Sequence, residues 1–431
     1  MERPQTINPG ITLPDEQPRK ADKYIWAIYI ALLAISVVEL YSASSREVQA
    51  SNVFGPLIRH AMMLFLGFGI TLGLSRMKFK WLIPMTKLIV FFAVVVGVYV
   101  MFKGQIINGA RRSMSLFGIG LQSSELLKLA CVLFIANIIA YNQEKRGVTT
   151  KGVIYCGAFV LLCGGILFSQ GLTNTLLLMG VSVSMMLVGG IQWRKLGFVL
   201  LAYGIIGGAG MVYKATQADE AKSKESTEVA EGGKTINRYS THVGRVQRWL
   251  GVGDSLPKYA QPITAENRQE MYSFMAQANG SWHGVLPGNS RETARLPLAF
   301  SDYIYAIIVE DWGFFGGFLL LVLYLCLLGR AGAIAARCRS AFPTLLIMGM
   351  AVMIVLQALF HMAIVTGVFP VSGQPLPLIS KGGSSILVTS IAFGIMLSVS
   401  RTAANVDDED KVIKAEIAEL PSGMTAENPL I

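Results

Sequence analysis

Charge is the scarcest property of this sequence. Its 37 Lys and Arg and 27 Asp and Glu make up 15% of 431 residues, against about 25% in a typical soluble domain. A soluble globular class is thereby excluded. Cysteine is scarce too: Cys131, Cys156, Cys163, Cys326 and Cys338 fall in apolar runs or in a loop on the cytoplasmic side. None has metal-ligand or redox spacing, which predicts neither a disulfide nor a zinc site. Four scattered histidines compose no metal motif. No phosphate-binding loop, dinucleotide fingerprint or hydrolase serine elbow occurs, so any reaction must draw its driving force from an activated substrate. A signal peptide is also missing. Residues 1–23 carry Pro4, Pro9, Pro14 and Pro18 with mixed charge and no apolar core, the composition of a disordered tail.

What is present is hydrophobic: 53% of the residues. Apolar runs long enough to cross about 30 Å of hydrocarbon recur along the chain. They predict an all-α polytopic membrane domain over 24–402, with ten spans near 24–43, 58–75, 82–102, 123–141, 152–169, 173–191, 195–213, 302–328, 343–366 and 383–400. Residues 403–431 form a second tail. The net charge of +10 sits in short clusters between spans, a pattern that reports topology and not nucleic acid. Basic residues mark every second loop: Lys20 and Lys23 before span one, Arg76 and Lys78 after span two, Arg194 and Lys195 after span six, Arg337 and Arg339 after span eight. Both termini are therefore expected in the cytoplasm, and the large loop 214–301 outside. Its first half, Ala215 to Thr235, reads as flexible, and 268–290 as an amphipathic helix followed by structured turns on the membrane surface.

Sorted by side, the unusual polar groups gather outside. Asn108-Gly109-Ala110-Arg111-Arg112-Ser113 breaks the positive-inside pattern. Its guanidinium forks suit a diphosphate, and lipid headgroups suit them equally. Glu125 and Lys128, three apart, share a helix face and can neutralise each other or line a cavity. Arg245 and Arg248, also three apart, fit substrate or headgroups alike. Asp302 stands where the large loop enters span eight. It can cap that helix or serve as a general base on a substrate hydroxyl. Glu310 and Asp311 lie about 12 Å further along, where a basic partner inside the bundle is the ordinary expectation. The last outer loop, 367–385, has three prolines and the run Lys381-Gly382-Gly383-Ser384-Ser385. It reads as a buried, re-entrant segment offering backbone N–H groups and a lysine to an anion. His361, deep in span nine, reads as a hydrogen-bonded bundle residue.

These motifs resemble the SEDS family (shape, elongation, division and sporulation), the polytopic peptidoglycan glycosyltransferases. NGARRS with QSSELLK, LPLAFSDYIYAIIVEDWG, and GVFPVSGQPLPLISKGGSSILVTSIAFGIMLSVSR look like its three signature regions in order. The last is the most specific. The chain looks more like the cell-division branch than the elongation branch. The resemblance implies inverting polymerisation of lipid II into glycan strands at the outer face of the bacterial cytoplasmic (inner) membrane, in cell division and cell wall biogenesis. Asp302 matches the essential aspartate as base. Arg111, Glu125 and Lys128 match other functional positions, and Arg112, Arg245, Arg248, Lys381, Ser384 and Ser385 join them as substrate-binding candidates. The resemblance also implies a class B penicillin-binding transpeptidase and other divisome proteins as partners. No protein metal ligand is assigned, although a divalent cation, magnesium or manganese, belongs to the family's expectations. A lipid II flippase and a non-catalytic division scaffold are the alternative functions. Four positions depart from the family pattern. Gln170-Gly171-Leu172-Thr173-Asn174-Thr175 lacks the acid of Q/E-P-D-x-G-T, Ser113 replaces an aromatic, Lys381 a tyrosine, and His361 an asparagine.

Overall fold

The computed structural model describes residues 20–47, 54–107, 110–116, 119–144, 147–205, 207–208, 249–251, 260–264, 267–338 and 340–403. The predicted spans are present as helices: α1 (Lys23–Glu47), α2 (Phe54–Arg76), α3 (Leu82–Lys103), α4 (Ser123–Tyr141), α5 (Thr150–Phe168), α6 (Leu172–Val188), α7 (193–205), α9 (Ile304–Ala335), α10 (Ala341–Val365) and α11 (Gly383–Ser400). Eight of these are long and apolar enough to cross a membrane; α6 is apolar but shorter, and the described helix 193–205 is shorter still. The chain is a multi-pass, α-helical membrane protein. The expected amphipathic helix is α8 (Arg268–Gly280), which turns Met271, Ser273 and Ala276 into the protein. The flexible stretch expected over 215–235 lies outside the described residues.

Lipid tails are as apolar as leucine, so packing in such a bundle depends on close approach and interhelical hydrogen bonds. In α4, α10 and α11, 72–78% of the most apolar window is buried, against 28% in α2 and α3. The first three are the core and the last two the lipid-facing wall. Gly67 lets α2 meet α11 closely, since a Cβ there would stand 2.5 Å from Ser390 Oγ. Beside it Thr71 Oγ1 lies 3.0 Å from Tyr29 Oη and 2.9 Å from the Ser390 carbonyl, joining α1, α2 and α11.

Two ends of the bundle are thus defined. At one, Asp22 accepts from the backbone N–H of Tyr24 and Ile25 and caps α1, while Arg330 near the end of α9 grips its other oxygen at 2.5 and 3.0 Å. At the opposite end lie α8, the start of α9 and the loop between α10 and α11. Strands were not foreseen there. β1 (Gln105–Ile107), β2 (Ala110–Leu116) and β3 (Ile119–Gln122) form an antiparallel sheet between α3 and α4, with Ile106 opposite Arg111 and Ser113 opposite Gln122. A two-strand turn, β4 (Gln143–Glu144) and β5 (Gly147–Val148), joins α4 to α5.

Candidate active site

Asp302 belongs to a tight turn and not to the helix end. Helix α9 begins at Ile304, and its cap position is Tyr303, whose side chain makes no capping bond. Asp302 therefore stands one residue before the cap position. Its backbone N–H closes on the Leu298 carbonyl at 3.0 Å, and Leu298 itself sits at φ 59°. The side chain is half-buried. What fixes the turn is the last loop: Lys381 N–H donates to the Phe300 carbonyl at 2.8 Å and Ser380 Oγ to the Ser301 carbonyl at 2.6 Å. The Lys381 ammonium lies 5.9 Å from the Phe300 ring centroid. Two motifs about 80 residues apart in sequence thus meet as one surface, with a carboxylate on one side and a cation on the other.

Beneath that surface runs a buried polar layer. Lys128 is fully buried and pairs with Glu125 at 2.8 Å and with Gln357 Oε1 at 2.5 Å. Such an ammonium is tolerable inside a bundle only because its charge and donors are met. Gln357 Nε2 donates onward to the Pro375 carbonyl at 3.1 Å. One turn along α10, His361 Nδ1 meets the Gln374 carbonyl at 2.6 Å; a carbonyl only accepts, so Nδ1 carries the proton. The Gln374 amide reaches Asn174 on α6 at 2.8 Å, and Ser123 Oγ donates to Gln170 at 2.7 Å. The layer joins α4, α6 and α10 to the last loop.

The acids of α9 work differently from their expected role. Glu310 has no basic partner among the described residues. Its carboxylate accepts from Ser290 Oγ at 2.5 Å, Arg291 N–H at 2.9 Å, Asn279 Nδ2 at 3.2 Å and Glu292 N–H at 3.4 Å. It is a staple for the large loop. Close by, α9 breaks at Gly313 (φ 71°, ψ −172°). The freed carbonyls of Glu310 and Asp311 take the N–H groups of Val285 and Leu286, both at 2.9 Å, and Phe314 N–H donates to Ser281. Ser42 of α1 donates to Asp311 and accepts from Gly288, and Trp312 Nε1 donates to Glu39 at 2.8 Å. The described residues 281–292 of the loop are therefore clasped to α1 and α9 beside the Asp302 turn.

Residues 22–405 match the sequence model of the FtsW/RodA/SpoVE family, described as cell cycle protein. The chain belongs to this family. It is 29% identical over 394 residues to the probable peptidoglycan glycosyltransferase FtsW of Polynucleobacter necessarius subsp. necessarius (strain STIR1), covering 87% of this chain and 84% of that protein. It is 28% identical over 393 residues to stage V sporulation protein E of Bacillus subtilis (strain 168), covering 88% and 97%. In fold it is similar to the rod shape determining protein RodA of Thermus thermophilus, with TM-score 0.60 and 22% identity over 89% of this chain and 98% of that one. It is also similar to a chain of a peptidoglycan synthase complex that coordinates polymerization and crosslinking, with TM-score 0.65 and 22% identity over 89% and 99%.

On this FtsW/RodA/SpoVE scaffold the candidate residues divide into groups. The segments that carry Asp302 and Lys381 come together through Phe300 and Ser301, and Glu125 and Lys128 lie in the layer below. Arg111 and Arg112 stand on β2, whose Ser113 pairs with Gln122 at the threshold of α4. Ser384 and Ser385 occupy the first turn of α11, both buried. Arg245 and Arg248 lie outside the described residues. Gln357, Gln374, Asn174, Gln170 and Ser123 were not singled out as site residues; Ser123 and Gln374 lie inside the quoted signature motifs, Gln170 and Asn174 inside the broken Q-P-D-x-G-T pattern, and Gln357 is a single amide in an apolar span. Among the described residues, no three His, Cys, Asp or Glu side chains gather to hold a metal. A resident magnesium or manganese ion finds no ready donor set there.

Proposed function

We propose that this chain is a peptidoglycan glycosyltransferase that polymerises lipid II at the outer face of the bacterial cytoplasmic membrane during cell division, with Asp302 as general base. The observation that carries this reading is the Asp302 turn: a half-buried carboxyl residue just ahead of α9, pinned through Phe300 and Ser301 to the loop that bears Lys381. The naming of relatives as peptidoglycan glycosyltransferases supports it.

The reaction follows from those groups. The Asp302 carboxylate takes the proton of the acceptor sugar's 4-hydroxyl, and the oxygen attacks the donor's anomeric carbon. The new C–O bond forms opposite the one that breaks, the electron pair leaves with undecaprenyl pyrophosphate, and the configuration inverts. Lys381, Arg111 and Arg112 are assigned to the diphosphate, whose charge grows as it departs. The large-loop end then faces outward, and a class B penicillin-binding transpeptidase and other divisome proteins are the assigned partners.

Purified protein, alone and with its transpeptidase, given labelled lipid II, tests the reading. Glycan polymer from the wild type and none from Asp302→Asn supports it. Transfer of labelled lipid across vesicles without polymer would replace it with a flippase.

A further inference from the structure

We propose that His361, Gln374 and Asn174 are positioning residues: an uncharged strut that sets the last loop, and through it Asp302, with His361 standing where the family pattern has an asparagine. The inference rests on the reading of Asp302 as base.

Residues 374–380 are buried yet have no regular secondary structure, so their backbone groups need partners from elsewhere. Pro375 and Pro377 have no N–H to give, which leaves carbonyls as the handles. Three of these handles are held by side chains. His361 holds the Gln374 carbonyl at 2.6 Å, Gln357 the Pro375 carbonyl at 3.1 Å, and Tyr324 Oη the Pro377 carbonyl at 2.7 Å. The Gln374 side chain adds the tie to Asn174 at 2.8 Å. From there the loop closes on itself, Ser380 Oγ accepting from Leu376 N–H at 2.7 Å, and then grips Phe300 and Ser301. A shift at Gln374 is therefore passed to the residues immediately before Asp302.

Every member of the strut is an imidazole, an amide or a carbonyl. Position 172, where the family pattern has its acid, is Leu172; the α6 contact to Gln374 comes from Asn174, two residues on. His361 and Asn174 both hold Gln374, one at its carbonyl and the other at its side-chain amide. Hydrogen bonds between uncharged groups fix the loop without a further buried charge, whose burial needs a partner of its own.

The test compares His361→Leu, which has no donor, with His361→Asn, whose side-chain N–H occupies the place of Nδ1. Each is read by amide exchange of Leu376, Ile379, Ser380 and Lys381 without substrate, and by polymerisation of labelled lipid II. His361→Leu should exchange these amides about tenfold faster, the loss of one buried hydrogen bond. Its turnover should fall by a similar factor at unchanged half-saturating substrate. His361→Asn should stay within about threefold of wild type in both. Unchanged loop exchange in His361→Leu, or an Asn variant no better than Leu, overturns the proposal. Exchange needs no substrate, so it decides the strut even if Asp302→Asn polymerises normally and the assignment of the base fails.

Discussion

Removing Glu125 while leaving Lys128 in place sets a buried charge against the bundle. In Glu125→Leu the Lys128 ammonium, fully buried, keeps only Gln357 Oε1 at 2.5 Å. Breaking a buried pair from one side destabilises by about 3–5 kcal/mol, and 3 kcal/mol is more than a hundredfold in the folding equilibrium at about 1.4 kcal/mol per tenfold. The double variant Glu125→Leu/Lys128→Met removes both charges and leaves Gln357 Oε1 without its donor, a loss of about 1–3 kcal/mol. It should therefore be more stable than the single variant by about 2 kcal/mol, the difference between those ranges. Equilibrium unfolding in mixed micelles, followed by tryptophan fluorescence, measures both. A single variant within about 1 kcal/mol of wild type, or a double variant less stable than the single, would refute the view that Glu125 is there to neutralise Lys128.

Three further outcomes are expected. Gly313→Ala must adopt a backbone region open almost only to glycine, at about 1–3 kcal/mol, and its Cβ would overlap the Trp282 carbonyl. Limited proteolysis should then cut 281–292 faster than in wild type, and unchanged cleavage counts against the clasp. Ser380→Ala deletes a hydroxyl that both accepts from Leu376 and donates to Ser301. A loss of about 1–3 kcal/mol is expected, with a fall in polymerisation read in the lipid II assay. Asp22 has a pKa below its ordinary value. Burial raises it, but the Arg330 hydrogen bond and charge, with the backbone N–H groups of Ile25 and Tyr24, more than reverse that. Its contribution is present above the unfolded carboxyl pKa of about 4 and is lost as pH falls through the lower folded value. Thermal unfolding between pH 3 and 7 should show Asp22→Asn losing less stability on acidification than wild type; parallel curves would contradict the assignment.

The spans were legible because hydropathy over about 20 residues is a strong signal, and each predicted run has a helix among its described residues. The sheet was not, since β2 reads Ala-Arg-Arg-Ser-Met-Ser-Leu with alternation in its last four residues alone, and its pairing is local to one turn. Asp302 could be singled out from its motif, but its place in a turn ahead of the helix depends on a helix that starts two residues later. Glu310 invited a cation by the ordinary expense of buried charge. The large loop met it with uncharged donors instead, a solution that needs residues 279–292 folded back. Least legible was the amide layer. Gln374 and Asn174 are 200 residues apart, and a lone amide in an apolar run has no periodicity to betray its partner.

The central claim is that Asp302 takes a proton during glycosyl transfer, and single-turnover polymerisation of labelled lipid II by Asp302→Asn, beside wild type of matched folding, measures it most directly. A positioned general base contributes about 10²–10⁴ in rate, so the variant should be slower by at least about a hundredfold with substrate binding retained. A rate within about threefold of wild type would contradict the account.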